Sequence, residues 1–181
     1  MVNSDRTKLQ LAAALKERTK TTPLSKIRVA ELCEACGIER RTFYCHFHDL
    51  YELVAWTFNR AVDECLPGEH GKPGLKGYEQ ALTRIQQEAW FFRRALSEDS
   101  QNSLGRYIIA HDAKIYEQEL QRIQNSPEIS LADRVVIQYH CFGHLGMLYR
   151  WLQNDCTPSA AEMAALLVAC MHPTILRIYT L

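Results

Sequence analysis

The chain has no apolar run long enough to cross a bilayer: the longest, Met163 to Met171, spans nine residues where roughly 20 are needed. The N-terminus carries Asp5, Arg6 and Lys8 where an export signal needs an apolar stretch, so a cytoplasmic protein without a membrane partner is expected. Turn-formers are scarce. Eight glycines and six prolines make 14 of 181 residues, about 8% against a usual share of roughly 12%. A sustained period-2 alternation is missing as well, which argues against strands and for a mostly helical fold. The seven cysteines (33, 36, 45, 65, 141, 156 and 170) are odd in number and thinly spread, so they read as thiols and not as a disulfide framework. No glycine-rich phosphate loop, nucleophile elbow, HExxH or paired-acid motif is present, and neither an enzyme nor a bound cofactor is expected.

What is there is globular: 47% hydrophobic and 23% charged residues with zero formal net charge, too apolar for a disordered chain. The zero hides an asymmetry. Residues 1 to 50 carry nine Lys/Arg and six Asp/Glu, or +3, and the other 131 carry 12 and 15, or −3. The first fifty residues are therefore the part suited to phosphate.

Four of the glycines (68, 71, 74, 77) and two of the prolines (67, 73) fall between residues 67 and 77. This cluster interrupts helical periodicity, and the expected division is 1–66, a linker at 67–77, and 78–181. Before the linker, recurrence at Leu9, Leu11, Ala12 and Leu15 predicts one helix. A second is predicted from Lys26 to Ala35 with Ser25 as cap, a third from Glu39 to His46, and a fourth from about His48. After it, helices are predicted over Tyr78 to Leu96, near Leu104, over His111 to Ile123, over Leu131 to Leu152, and from Ser159 to about Met171, where Ser159 and Glu162 have capping-box spacing and Thr157 is a rival cap. The fold class is all-α.

Two short helices joined through Gly37, a residue that tolerates positive φ, make a helix-turn-helix candidate. The second helix of such a pair enters the major groove with its N-terminal residues at base edges. Here those residues are Glu39, Arg40, Arg41 and Thr42, followed by Tyr44 and His46. Arginine can grip guanine O6 and N7, threonine a thymine methyl or a phosphate, and tyrosine and histidine tips suit phosphate oxygens. Phe43 and Phe47, four apart, hold the opposite face. Lys26 and Arg28 complete the expected DNA-binding set.

The run Gly37-Ile38-Glu39-Arg40-Arg41-Thr42-Phe43-Tyr44-Cys45-His46-Phe47, with Asp49-Leu50-Tyr51-Glu52-Leu53 and Trp56 after it, resembles the DNA-binding domain of the TetR family of bacterial transcriptional regulators. It is most similar to the branch that includes the regulator of the dihydroxyacetone-kinase operon. The resemblance covers roughly residues 5 to 58. It implies an all-α homodimer with an N-terminal reading head, and a larger C-terminal domain that dimerises through its last two long helices and often holds a small-molecule effector. It also implies that Arg40, Arg41 and Thr42 face bases and nearby backbone, while Ser25, Tyr44 and His46 grip phosphates of a pseudo-palindromic operator. Two positions depart from the pattern. Many relatives carry Ser or Thr where this chain has Glu39, a carboxylate that can repel phosphate or accept from cytosine N4, and many carry a phosphate-contacting Lys where it has Leu50. Those departures suit an alternative, a TetR-like coactivator that works through protein contacts with weakened DNA binding. Arg40, Arg41 and Tyr44 speak against that alternative.

Other groups have plainer readings. Cys33 and Cys36 form a lone C-x-x-C beside Cys45, His46 and His48, yet small apolar residues fill those two positions in relatives, so core packing is expected and no metal. On the Leu131 to Leu152 helix, Gly143 and Gly146 permit close helix approach, and Leu145, Leu148, Tyr149 and Leu152 are the expected dimer seam. Trp90, Tyr107, His111, His140 and His144 are the expected effector-pocket lining, aromatic walls with polar tips.

Overall fold

The computed structural model describes residues 2–62, 74–97 and 104–180. Among them are ten α-helices and no strand: α1 Val2–Thr19, α2 Val29–Cys36, α3 Arg40–Tyr44, α4 Leu50–Val62, α5 Gly74–Gln87, α6 Ala89–Leu96, α7 Leu104–Gln124, α8 Leu131–Gln153, α9 Ala160–Ala169 and α10 Pro173–Thr180. The all-α expectation holds. No helix among the described residues is long and apolar enough to cross a membrane.

The chain packs as two units. One comprises Met1–Phe58 with Trp90–Tyr107, the other Asn59–Ala89 with Ile108–Leu181. The first is built on α1, α2 and α3, closed by α4 and by α6, and its interior holds Leu11, Leu15, Leu32, Phe43, Leu53, Phe91 and Phe92. Phe92 meets Phe58 edge-on at 5.3 Å, and Arg94 Nη1 donates to the Lys20 carbonyl at 3.2 Å. The Gly/Pro cluster predicts that α6 belongs to the C-terminal part. Packing groups Trp90–Tyr107 with the head because Phe91 and Phe92 are core residues there, and a covalent breakpoint does not choose a helix's packing partner. The other end of that breakpoint is also shorter than expected, since α5 opens at Gly74 and continues through Gly77. Residues 63–73 lie outside the described residues.

Local chemistry explains most boundaries. Pro23 precedes a 3-10 turn at Leu24–Lys26, and Ile27 is extended, so α2 starts at Val29 with Arg28 at its N-cap. Ser25 lies inside that turn and is not the cap of α2. At the other end of α2, Gly37 adopts φ 64° and its N–H reaches the Glu34 carbonyl, while Ile38 N–H bonds the Cys33 carbonyl at 3.0 Å. That left-handed residue ends the helix and turns the chain into α3. Asp49 Oδ1 accepts the Glu52 N–H at 2.8 Å, starting α4. The Ser159–Glu162 capping box forms as expected and starts α9, so Thr157 is not the cap. Tyr78 to Leu96 is two helices broken at Glu88, and the segment near Leu104 is continuous with His111 to Ile123 as α7. In the second unit, α5 packs against α9, and α10 against α8 and α5, around Leu82, Ile85, Ile137, Leu148, Leu152 and Ile175.

A Cβ at position 37 would meet no atom within 4 Å, so replacing this glycine costs backbone strain alone. Gly37→Ala should lower unfolding free energy by about 1 kcal/mol, read from denaturant unfolding. An unchanged midpoint would mean that the turn relaxes out of the left-handed region.

Candidate functional site

The polar face of the head is organised by a helix of only five residues. Such a helix cannot hold itself together in water. It is held by burial: Phe43 is 0% exposed and its ring lies 5.8 Å from Phe47, which in turn meets Trp56 edge-on at 6.0 Å. Lys8 Nζ stands 5.9 Å from the Phe47 ring centroid and 5.8 Å from that of Trp56. With that side fixed, the other side presents Glu39, Arg40, Arg41 and Tyr44 to solvent and leaves Thr42 and His46 half-buried. Glu39 is the N-cap. Tyr44 packs edge-on to Phe43 at 5.4 Å, so its ring is seated while its hydroxyl end is free to reach outward. Ser25, Lys26 and Arg28 are exposed on the approach to α2. Cys33 is buried in the head's interior and Cys36 is half-buried; burial pushes both thiols up. Among the described residues no group of three or more His, Cys, Asp or Glu side chains is arranged to hold a metal ion.

In the second unit, α8 brings His140 and His144 together with their rings stacked at 5.6 Å. His144 Nε2 is 2.6 Å from Tyr78 Oη, and His140 Nε2 is 3.3 Å from Tyr116 Oη. Tyr116 and Tyr179 share a further hydrogen bond of 2.6 Å. The result is two hydrogen-bonded sets inside a helical core, Tyr78 with His144 and His140 with Tyr116 and Tyr179, joined by the stacked imidazoles. Burial lowers the His140 pKa to about 4, and burial with the neighbouring ring lowers that of His144 to about 3. The three tyrosines are raised by the same desolvation. Nearby Asp112 is also raised by burial, partly offset by the His111 hydrogen bond at 3.3 Å. Sequence reading missed Tyr78, Tyr116 and Tyr179, because nothing in their spacing tells a core tyrosine from a bonded one.

His140, His144 and Tyr78 also form one wall of a groove of about 510 Å³ between α8 and α9, whose other lining includes Phe142, Met147, Leu166 and Arg150. Both imidazoles line this groove while their Nε2 atoms meet Tyr116 and Tyr78. The expected pocket lining is not brought together: Trp90, Tyr107 and His111 do not line the groove. Trp90 and Tyr107 belong to the head unit, where Tyr107 Oη donates to Asp49 Oδ2 at 2.9 Å and is pushed up to about 12 by burial and that bond. His111 is engaged with Asp112.

The expected seam needs correction too. Leu148 and Leu152 are buried in the interior of their own chain, and Leu145 is half-buried. Only Tyr149 is exposed. The uncovered apolar residues of α8 are instead Leu131, Val135, Tyr139, Phe142, Met147 and Tyr149, with Leu166 beside them on α9, and Tyr139 is 82% exposed. The signal was present in sequence: apolar residues run round both sides of α8, and a helix apolar on two sides has two surfaces to cover. Above Gly143 and Gly146 a Cβ would meet open space.

Residues 75–173 carry a recognisable sequence pattern. A TetR-type family model described as "Transcriptional regulator C-terminal region" matches residues 75–173, more than half of the chain. No curated protein matches it in sequence. Among solved structures it is similar to "Dihydroxyacetone kinase operon activator DhaS", with a TM-score of 0.59 and 16% identity over 90% of this chain and 94% of that one, a likeness of fold. The chain belongs to the TetR family of transcriptional regulators.

Acid should probe the histidine pair. Unfolded, each imidazole takes up a proton near pH 6.5; folded, neither does until about 4 and about 3. The unfolded state therefore binds more protons in between, so the stability present above about pH 6.5 declines as pH falls. Asp112 has the opposite sign, because a raised carboxyl lets the fold take up its proton first. His144→Gln removes one titrating ring, and between pH 6.5 and 4.5 its stability should fall less steeply than the wild type's, by up to about 1.4 kcal/mol per pH unit. Denaturant unfolding across that range reads the difference. Parallel slopes would mean that the ring protonates freely within the fold.

Proposed function

We propose that the protein is a sequence-specific DNA-binding transcriptional regulator that acts as a homodimer on a pseudo-palindromic operator. The observation that carries this reading is the exposed row Glu39, Arg40, Arg41 and Tyr44 on a helix whose other side is pinned by Phe43 and Phe47, in a chain whose family regulates transcription. Arg40 and Arg41 read base edges with Thr42 beside them. Tyr44, His46, Ser25, Lys26 and Arg28 hold phosphates and so fix register without reading sequence. A single small head buries too little surface for tight specificity, which is why two are needed, on half-sites about 34 Å apart or a multiple of that.

The second copy packs on the uncovered faces of α8 and α9. Of the ten exposed large hydrophobic side chains among the described residues, seven lie there, an apolar patch of the kind that marks an interface. Gly143 and Gly146 leave room for the opposing helix. A small-molecule effector acts on the C-terminal unit. The protein works in the cytoplasm, where its operator is.

Arg41→Ala should weaken binding to the selected operator by about 1 to 3 kcal/mol and relax preference at one base pair. Tyr44→Phe should weaken all duplexes alike and leave the melting temperature unchanged. Fluorescence-anisotropy titrations on operator and scrambled DNA separate the two, and a sequence-selective loss in Tyr44→Phe would contradict its assignment. Tyr139→Glu combined with Phe142→Glu should give a folded monomer by light scattering. A double variant that remains dimeric would move the interface off this face.

A further inference from the structure

Glu39 is the one side chain in the exposed row whose charge opposes a polyanion. A carboxylate on a DNA-facing surface lowers affinity for every sequence unless something neutralises it. Inside the protein nothing among the described residues does. Glu39 is exposed at the N-cap of α3 with φ −76° and ψ 149°, and its side chain makes no capping bond, whereas Glu17, Glu31 and Glu119 each pair with a Lys or Arg. Its backbone, by contrast, is held. The Glu39 carbonyl accepts Thr42 N–H at 2.9 Å and Phe43 N–H at 3.4 Å, and Phe43 is fully buried. The carboxylate is thus carried on a fixed stem directly before two exposed arginines, free to meet a donor on the ligand.

The major-groove edges differ in what they offer such a group. Guanine presents two acceptors and thymine one acceptor with a methyl, all of which repel or fail to bond a carboxylate; adenine presents a donor with the N7 acceptor beside it. Cytosine alone presents the N4 amino donor with no acceptor on the same edge. We propose that Glu39 reads a cytosine in each half-site by accepting from its N4 amino group, and that it sets specificity largely by excluding other bases there. The arginines supply the attraction that brings the head to DNA, and Glu39 makes that attraction conditional on one base pair, an economical form of discrimination by repulsion. The inference rests on the operator-binding reading above.

The test uses the full chain, as wild type, Glu39→Gln and Glu39→Ala, with selection from a random duplex pool followed by competition binding to single-base variants of the wild-type site. The wild type should select one fixed C·G pair per half-site, and replacing that cytosine should weaken binding by about tenfold or more. Glu39→Gln should move the preference at that position to adenine, whose N6 and N7 a carboxamide grips together. Glu39→Ala should lose preference at that position alone and bind random duplex more tightly than the wild type. If Glu39→Ala keeps every base preference and merely tightens all duplexes alike, Glu39 only repels phosphate and the proposal is overturned. A wild type that selects no duplex at all would overturn the operator reading itself, an outcome distinct from a wild type that selects sites lacking the cytosine.

Discussion

The burial of Phe43 and Phe47 beneath α3 is the contact on which the reading head depends. Five residues of helix have no stability of their own, so every exposed side chain on α3 takes its direction from two rings held against Trp56 and the interior of the head. Gly37 sets where the helix starts, and the Glu39 carbonyl closes its first turn. A few apolar contacts thereby convert a short, strongly charged peptide into an ordered row of functional groups. Precision of this kind is what base recognition needs, because hydrogen bonds to base edges tolerate little displacement.

The C-terminal unit answers to a different constraint, the need to bury two sides of one helix. One side of α8 is satisfied within the chain by Ile137, Cys141, Leu148 and Leu152. On the other, Tyr139, Phe142 and Met147 are exposed, which supports the proposed second copy. Between the two lie His140 and His144, polar rings that a core tolerates because Tyr116 and Tyr78 bond them and because burial keeps them neutral.

The fold was legible in the sequence wherever a local signal decided it. Gly37 announced its positive φ, Ser159 and Glu162 announced a capping box, and the spacing of Phe43 and Phe47 announced the buried face of α3. It was not legible where packing overrode local preference. The residues around Glu88 are good helix formers, yet α5 and α6 part there, and Ser25 is a favourable cap that a preceding 3-10 turn displaces. The seam expected at Leu145, Leu148, Tyr149 and Leu152 rests on apolarity, which cannot say which of two apolar faces the chain itself covers: Leu148 and Leu152 are buried and Tyr149 is exposed. For the effector lining, sequence brought together aromatic and histidine residues that the fold distributes between two units, and only His140 and His144 share a wall. The position of Glu39 was readable from the motif, while the freedom of its carboxylate became visible only once its missing cap bond and fixed backbone could be seen.

The measurement that tests the account most directly is the mass of the complex formed with a single duplex carrying one selected operator, determined by light scattering at protein excess. Two heads fixed by one α8–α9 interface predict two chains per duplex, bound together, with no appreciable one-chain species as protein is titrated in. A complex that saturates at one chain per duplex would contradict the account at its centre.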